Sequence, residues 1–103
     1  MTSAALPGEK RWRPVPGYEG WYEVSDQGDV YALARPYTHG GLLKPQLNSA
    51  GYRCARLSKY GRVRTVPVGR LVLEAFCEPA RGRRARHGPG GKLDDRLKNL
   101  TWT

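Results

Sequence analysis

A chain of 103 residues with eight prolines and thirteen glycines fits one small, turn-rich domain or two tightly joined subdomains, able to bury a core but of modest stability. No apolar run of about eighteen residues exists, so a membrane-spanning helix is excluded; the first six residues lack the basic start and length of a signal peptide, and a soluble, cytoplasmic protein is expected. The net charge of +9 is unevenly spread: no acidic residue lies between Asp29 and Glu74, where eight basic ones do, which is the electrostatic footprint of a polyanion partner.

Residues 1–11 read as a flexible leader. Residues 12–18, with Pro14, Pro16 and Gly17, read as an extended lead-in. Residues 21–24 and 30–33 alternate bulky and polar side chains around Ser25-Asp26-Gln27-Gly28-Asp29, a turn composition, and predict a first hairpin. Residues 34–50 predict a loop with a short extended piece at 43–47. Residues 51–57 and 63–68 predict a second hairpin joined through 58–61. Residues 70–76 lack a period of two and consist of good helix formers, so they predict a short helix that ends before Pro79. An arginine-rich connection (79–86), a sharp loop (87–91), a helical turn (93–100) and a closing strand (101–103) follow.

Trp21, Tyr22, Val24 and Val30 are expected to pack together and against Leu71, Val72 or Phe76. Trp12, with Trp21 and Tyr22, is expected in the core rather than stacked on nucleic-acid bases. Cys54 and Cys77 belong to no CxxC pair and read as small core residues rather than zinc ligands. Charge also concentrates at the end, where residues 81–103 hold seven basic and two acidic side chains. A membrane surface is disfavoured, because no long basic amphipathic helix is present.

Two stretches resemble a known family. The first is Trp12-x-Pro14-x-Pro16-Gly17-Tyr18-Glu19-Gly20-Trp21-Tyr22-Glu23-Val24-Ser25, followed by Gly28-Asp29-Val30. With Lys44-Pro45-Gln46-Leu47-Asn48 and Gly51-Tyr52-Arg53, it resembles the NUMOD4 module at the front of phage and intron-borne HNH endonucleases. The second is Arg70-Leu71-Val72-Leu73-Glu74-Ala75-Phe76, then His87, Asp95-Arg96 and Asn99-Leu100-x-Trp102. It resembles the HNH motif as it occurs behind NUMOD4. The resemblance implies an α+β fold: a small antiparallel β-hairpin module (residues 12–50), then a partial ββα-metal, or His-Me finger, motif (residues 51–103). It also implies a host-cell protein of phage or bacterial origin that binds duplex DNA and cleaves phosphodiester bonds with a divalent metal, Mg²⁺ or Mn²⁺.

By this resemblance His87 is the general base that activates water, which requires an imidazole close to the scissile phosphorus. Asn99, twelve residues later, would tie the loop to the backbone and so orient His87; an ordinary Asx turn demands similar geometry. Arg81, Arg83, Arg84 and Arg86 are candidates to hold phosphate oxygens. Arg62 and Arg64 share a strand face by their spacing, and with Arg53, Arg56, Lys59 and Arg70 they form the expected DNA-binding set. Three departures stand against activity. The acidic metal ligand that often precedes the His is here Arg86. The histidine that often follows Val68 is here Gly69. The helix that carries the third HNH residue would follow Thr103, so the ββα motif is expected without its last helix. Asp95 is the weak candidate for a metal ligand, against an ordinary helix cap. Three functions stay open: an HNH-type DNA endonuclease, a shortened relative that binds DNA without cutting, and, on charge alone, an RNA-binding protein.

Overall fold

The structure is a computed structural model describing residues 10–36 and 39–103. The leader expected over residues 1–11 lies almost wholly outside the described residues, as do positions 37 and 38 of the expected loop.

Strands β1 (Trp12–Pro14), β2 (Tyr22–Ser25), β3 (Val30–Ala32) and β4 (Gly41–Leu42) form one antiparallel sheet in chain order. The β2–β3 hairpin is the first one expected. Its turn is set by Ser25, whose buried hydroxyl accepts the amides of Gln27 (3.2 Å) and Asp29 (3.0 Å). Gly28 closes the turn at φ +87°, a conformation that side-chain-bearing residues rarely adopt.

Strands β5 (Gln46–Leu47), β6 (Arg53–Lys59) and β7 (Arg62–Pro67) form a second sheet. Lys59 opposite Arg62 leaves a two-residue turn, and positive φ at both Tyr60 (52°) and Gly61 (77°) matches the twist of the flanking strands. Helix α1 (Val68–Phe76) starts where Pro67 ends β7, two residues earlier than the sequence suggested. It stops with the Cys77 amide bonded to the Leu73 carbonyl at 2.8 Å, before Pro79. Strands β8 (Ala85–His87) and β9 (Leu100–Trp102) pair antiparallel, with one 3-10 turn at Leu97–Asn99 between them. The connection expected over 79–86 therefore ends as a strand. The helical turn expected over 93–100 shrinks to its last few residues, because β9 claims Leu100.

The core joins both sheets to the helix. Val15, Tyr22, Val24, Val30, Ala55, Leu57, Val66, Val68, Leu71, Val72, Leu73 and Leu100 form one buried cluster. The Tyr22 hydroxyl ties the sheets together: it accepts the Ser58 amide at 2.8 Å and donates to the Ser58 carbonyl at 3.2 Å. Several core expectations are corrected. Trp12 is 37% exposed and stands edge-on to Tyr31 on the outer sheet surface. Cys54 is buried, but Cys77 lies past the helix end and is exposed. Trp21 and Phe76 are only half-buried at the cluster's rim, and the Arg13 guanidinium sits 5.0 Å above the Phe76 ring. Among the described residues no helix is long and apolar enough to cross a membrane.

Candidate active site and basic face

His87 ends β8, opposite Leu100 of β9. Side chains alternate across this ladder, so His87 and Ala85 turn inward while Arg86 and Thr101 turn out to solvent. The loop after His87 is stapled by Asn99. Its side-chain oxygen accepts the Gly90 amide at 2.9 Å, and its side-chain nitrogen donates to the carbonyls of Asp94 (2.9 Å) and Gly91 (3.3 Å). Its backbone carbonyl takes the Gly88 amide at 2.8 Å. All of these bonds hold the loop that leaves His87.

Asp95, the expected metal ligand, is placed differently. Its side chain is 1% exposed, and both oxygens are engaged within the chain. Oδ1 lies 2.7 Å from His87 Nε2, and Oδ2 accepts Arg53 at 3.0 Å. Which of the two atoms donates in the His87–Asp95 contact depends on the imidazole tautomer. Nor does Asp95 cap a helix. Asp94 takes the local role: it accepts the Arg96 amide at 3.2 Å and a bidentate Arg96 guanidinium at 2.7 and 2.6 Å. Those side-chain bonds pull the Asp94 carboxyl down to about 2.

Arg53 is likewise corrected. It commits its guanidinium to Asp95 and to the Gly28 carbonyl (3.2 Å). Its charge is internal rather than offered to DNA. Two glycines make this junction possible. A Cβ on Gly28 would stand 2.9 Å from Asp95 Cβ, and one on Gly69 would stand 3.0 Å from Asp95 Oδ1. The front hairpin and α1 therefore both close on Asp95. The departure of Gly69 from the histidine often found after Val68 was the available signal, since it frees the space that Asp95 and His87 fill.

Beside His87 opens a cavity of about 290 Å³, lined by Tyr52, Pro67, Gly69, Arg70, Arg83, Arg84, Ala85 and His87. Tyr52 lies over the imidazole, with ring centroids 5.3 Å apart. Arg83 is anchored by the carbonyls of Ala80 (2.9 Å) and Pro79 (3.0 Å) and by Glu78 (3.1 Å). Arg70 pairs with Glu74 at 3.3 Å on the helix surface. Arg84 makes no ion pair among the described residues.

Lys59, Arg62 and Arg64 sit at the other end of the β6–β7 hairpin. Arg62 and Arg64 do share one face, with Lys59, whose ammonium reaches the Gly17 carbonyl at 2.7 Å. Arg56 lies on the opposite face by the strand's alternation. The tip forms an open groove with Pro16, Tyr18 and the exposed Tyr60. Among the described residues Arg56, Arg62, Arg64 and Arg86 make no ion pair.

A compact α+β chain thus places a histidine on one strand of an antiparallel pair, with an asparagine stapling the loop between them, behind a hairpin module. That arrangement is what the HNH resemblance implied for its ββ part. Residues 11–58 match the NUMOD4 motif. The chain is 38% identical over 92 residues to DNA endonuclease I-HmuI of Bacillus phage SP01, a match covering 88% of this chain and 51% of that protein. Its fold superposes on the structure described as DNA binding and cleavage by the HNH homing endonuclease I-HmuI, with a TM-score of 0.79 and 36% identity over 90% of this chain and 52% of that one. The resemblance to NUMOD4-bearing HNH endonucleases is therefore borne out, for a chain that spans about half the length of the relative it matches.

Proposed function

We propose that this chain binds duplex DNA and contributes the general base of an HNH-type endonuclease. The arginine-lined cavity beside His87 supports this. Arg70, Arg83 and Arg84 surround a space of about 290 Å³ that reaches the imidazole, which suits a phosphate held next to a proton acceptor. The Lys59, Arg62 and Arg64 tip adds a second set of phosphate contacts. Lys59 and Arg53 are six residues apart on β6, about 20 Å at strand spacing. One duplex of about six base pairs covers that distance, at roughly 3.4 Å per step.

The divalent metal implied by the family does not fit the side chains present. Arg86 cannot ligate a cation, and both oxygens of Asp95 are engaged. Among the described residues no group of three His, Cys, Asp or Glu side chains is placed to hold one. These observations favour a second function, DNA binding without cutting by this chain alone.

One experiment separates the two. Supercoiled plasmid is incubated with the protein and Mg²⁺ or Mn²⁺, with EDTA as control, while anisotropy measures binding to a labelled duplex across a salt series. Binding that weakens steeply with salt, together with metal-dependent nicking, supports the endonuclease. Binding with no nicking supports the second function. Binding indifferent to salt sinks both, because phosphate neutralisation must release counterions.

A further inference from the structure

We infer that Asp95 is the positioning residue for His87, fixing the imidazole as its Nε2–H tautomer and leaving the Nδ1 lone pair as the proton acceptor. The catalytic consequence rests on the nuclease function proposed above; the tautomer is a property of this chain alone.

Three contacts hold the carboxylate in place. Oδ1 receives His87 Nε2 at 2.7 Å, and Oδ2 receives Arg53 at 3.0 Å. Gly28 and Gly69 pack so closely that an added Cβ would stand 2.9 Å from Asp95 Cβ or 3.0 Å from Oδ1. The carboxylate therefore has little room to rotate. Arg53 has only donors, so it always claims an acceptor from residue 95. That leaves the Oδ1 side for His87, and a carboxylate there demands a proton on Nε2.

The other ring nitrogen has no such partner. Nδ1 is buried and has no hydrogen bond among the described residues. The charged groups of the neighbouring cavity wall are Arg70, Arg83 and Arg84, all of them donors. Among the described residues no acceptor bonds a proton at Nδ1, so the Nδ1–H tautomer would bury an unmet donor while turning a bare nitrogen toward the Asp95 carboxylate, which can only accept. Access to Nδ1 requires its cover to shift; the neighbouring Tyr52 ring is tilted 36° to the imidazole with centroids 5.3 Å apart.

In cleavage, the water oxygen bonds to phosphorus as one of its protons passes to Nδ1. The phosphorus–ester oxygen bond breaks, and the leaving oxygen keeps the electron pair and takes a proton from solvent. The resulting imidazolium is held by the Nε2–H bond to Asp95, the role a buried carboxylate plays for histidine in serine hydrolases.

The substitution Asp95→Asn tests this with opposite expectations at the two nitrogens. Arg53 compels the asparagine oxygen toward itself, so the amide NH₂ faces Nε2. An NH₂ donates, so Nε2 must give up its proton and the ring becomes the Nδ1–H form. Long-range ¹H–¹⁵N spectra of His87 read the tautomer directly, with His39 as an internal reference. The expected result is Nε2–H in the wild type and Nδ1–H in D95N. On plasmid, kcat should fall by about 10²–10⁴ with the Kd for duplex unchanged. An Nδ1–H imidazole in the wild type overturns the assignment by itself, whether or not D95N folds. So does an unchanged tautomer in a folded D95N. If the tautomer switches as expected but neither protein nicks DNA with either metal, the nuclease function fails and the positioning role stands.

Discussion

The Arg53–Asp95 pair offers the sharpest test of how this fold is held together. Asp95 is 1% exposed and Arg53 21%, so the carboxylate is sealed while the guanidinium reaches it from a partly open side. Replacing Arg53 by methionine keeps most of the apolar stem that crosses the site. It leaves Asp95 with His87 as its single partner and strips the Gly28 carbonyl of its donor. Removing one member of a buried ion pair costs about 3–5 kcal/mol, a large part of the roughly 5–15 kcal/mol that such a domain has. At about 4–8 °C per kcal/mol, the melting temperature should fall by at least about 12 °C. Thermal melts by circular dichroism at neutral pH measure this. The double variant R53M/D95N should lose less than R53M alone, because it buries no unpaired charge. An R53M protein that melts within about 1 kcal/mol of wild type would refute the idea that Asp95 is a sealed charge needing compensation.

Asn99→Ala should cost about 1–3 kcal/mol, since it leaves the Gly90 amide and two carbonyls unmet; amide exchange at Gly90 should accelerate, and unchanged protection there would deny the staple. Asp94 is held at about 2 by its bonds to Arg96, below its ordinary 3.8. A lowered folded-state value means its contribution is present above the ordinary value and is lost as pH falls from there toward 2, so D94N should flatten the acid limb of a stability–pH curve measured by denaturant melts. Charge reversal at Arg62 and Arg64 should weaken duplex binding across unrelated sequences and reduce the salt slope by about one for each phosphate no longer neutralised, whereas R53M, if it stays folded, should leave the slope unchanged. Phe76→Ala should fall short of the about 3–5 kcal/mol expected for a fully buried ring, because its outer edge meets Arg13 rather than the core.

Much of the architecture was legible because local signals agreed with one another. The Ser25 to Asp29 composition, the Tyr60-Gly61 turn and the 70–76 helix formers each specify their element within a few residues. Strand β8 was hidden because Ala85-Arg86-His87 is too short to show alternation and its partner β9 lies thirteen positions on, from His87 to Leu100. Trp12 defied its composition because an aromatic on a short edge strand looks like core in the sequence but packs on the outside of the sheet. At the site, the spacing of His87 and Asn99 was readable from the resemblance. The fates of Arg53 and Asp95 were not: their pairing spans 42 positions, and no local rule tells an arginine that will face a carboxylate from one that will face solvent. The two adjacent acidic residues, Asp94 and Asp95, in an otherwise basic tail were the available hint.

Removing Arg53 from the DNA-binding set changes what strand β6 is for. Its inward face runs from Arg53 through Ala55 and Leu57 to Lys59, so one strand carries the brace of the His87 site at one end and part of the basic tip at the other. Ala55 and Leu57 between them are fully in the core and fix the strand against α1. The same Arg53 also grips the Gly28 turn of the front hairpin. Under the proposed function, a duplex bound at the Arg62 and Arg64 tip is joined to the cavity at His87 by one continuous strand rather than by a linker. Such fixed geometry suits a phosphate that must meet Nδ1, because small displacements of a reacting group are costly. The NUMOD4 stretch, which ends within β6 at residue 58, is on this view not a separable anchor placed ahead of the histidine. It supplies half of the frame that aims it.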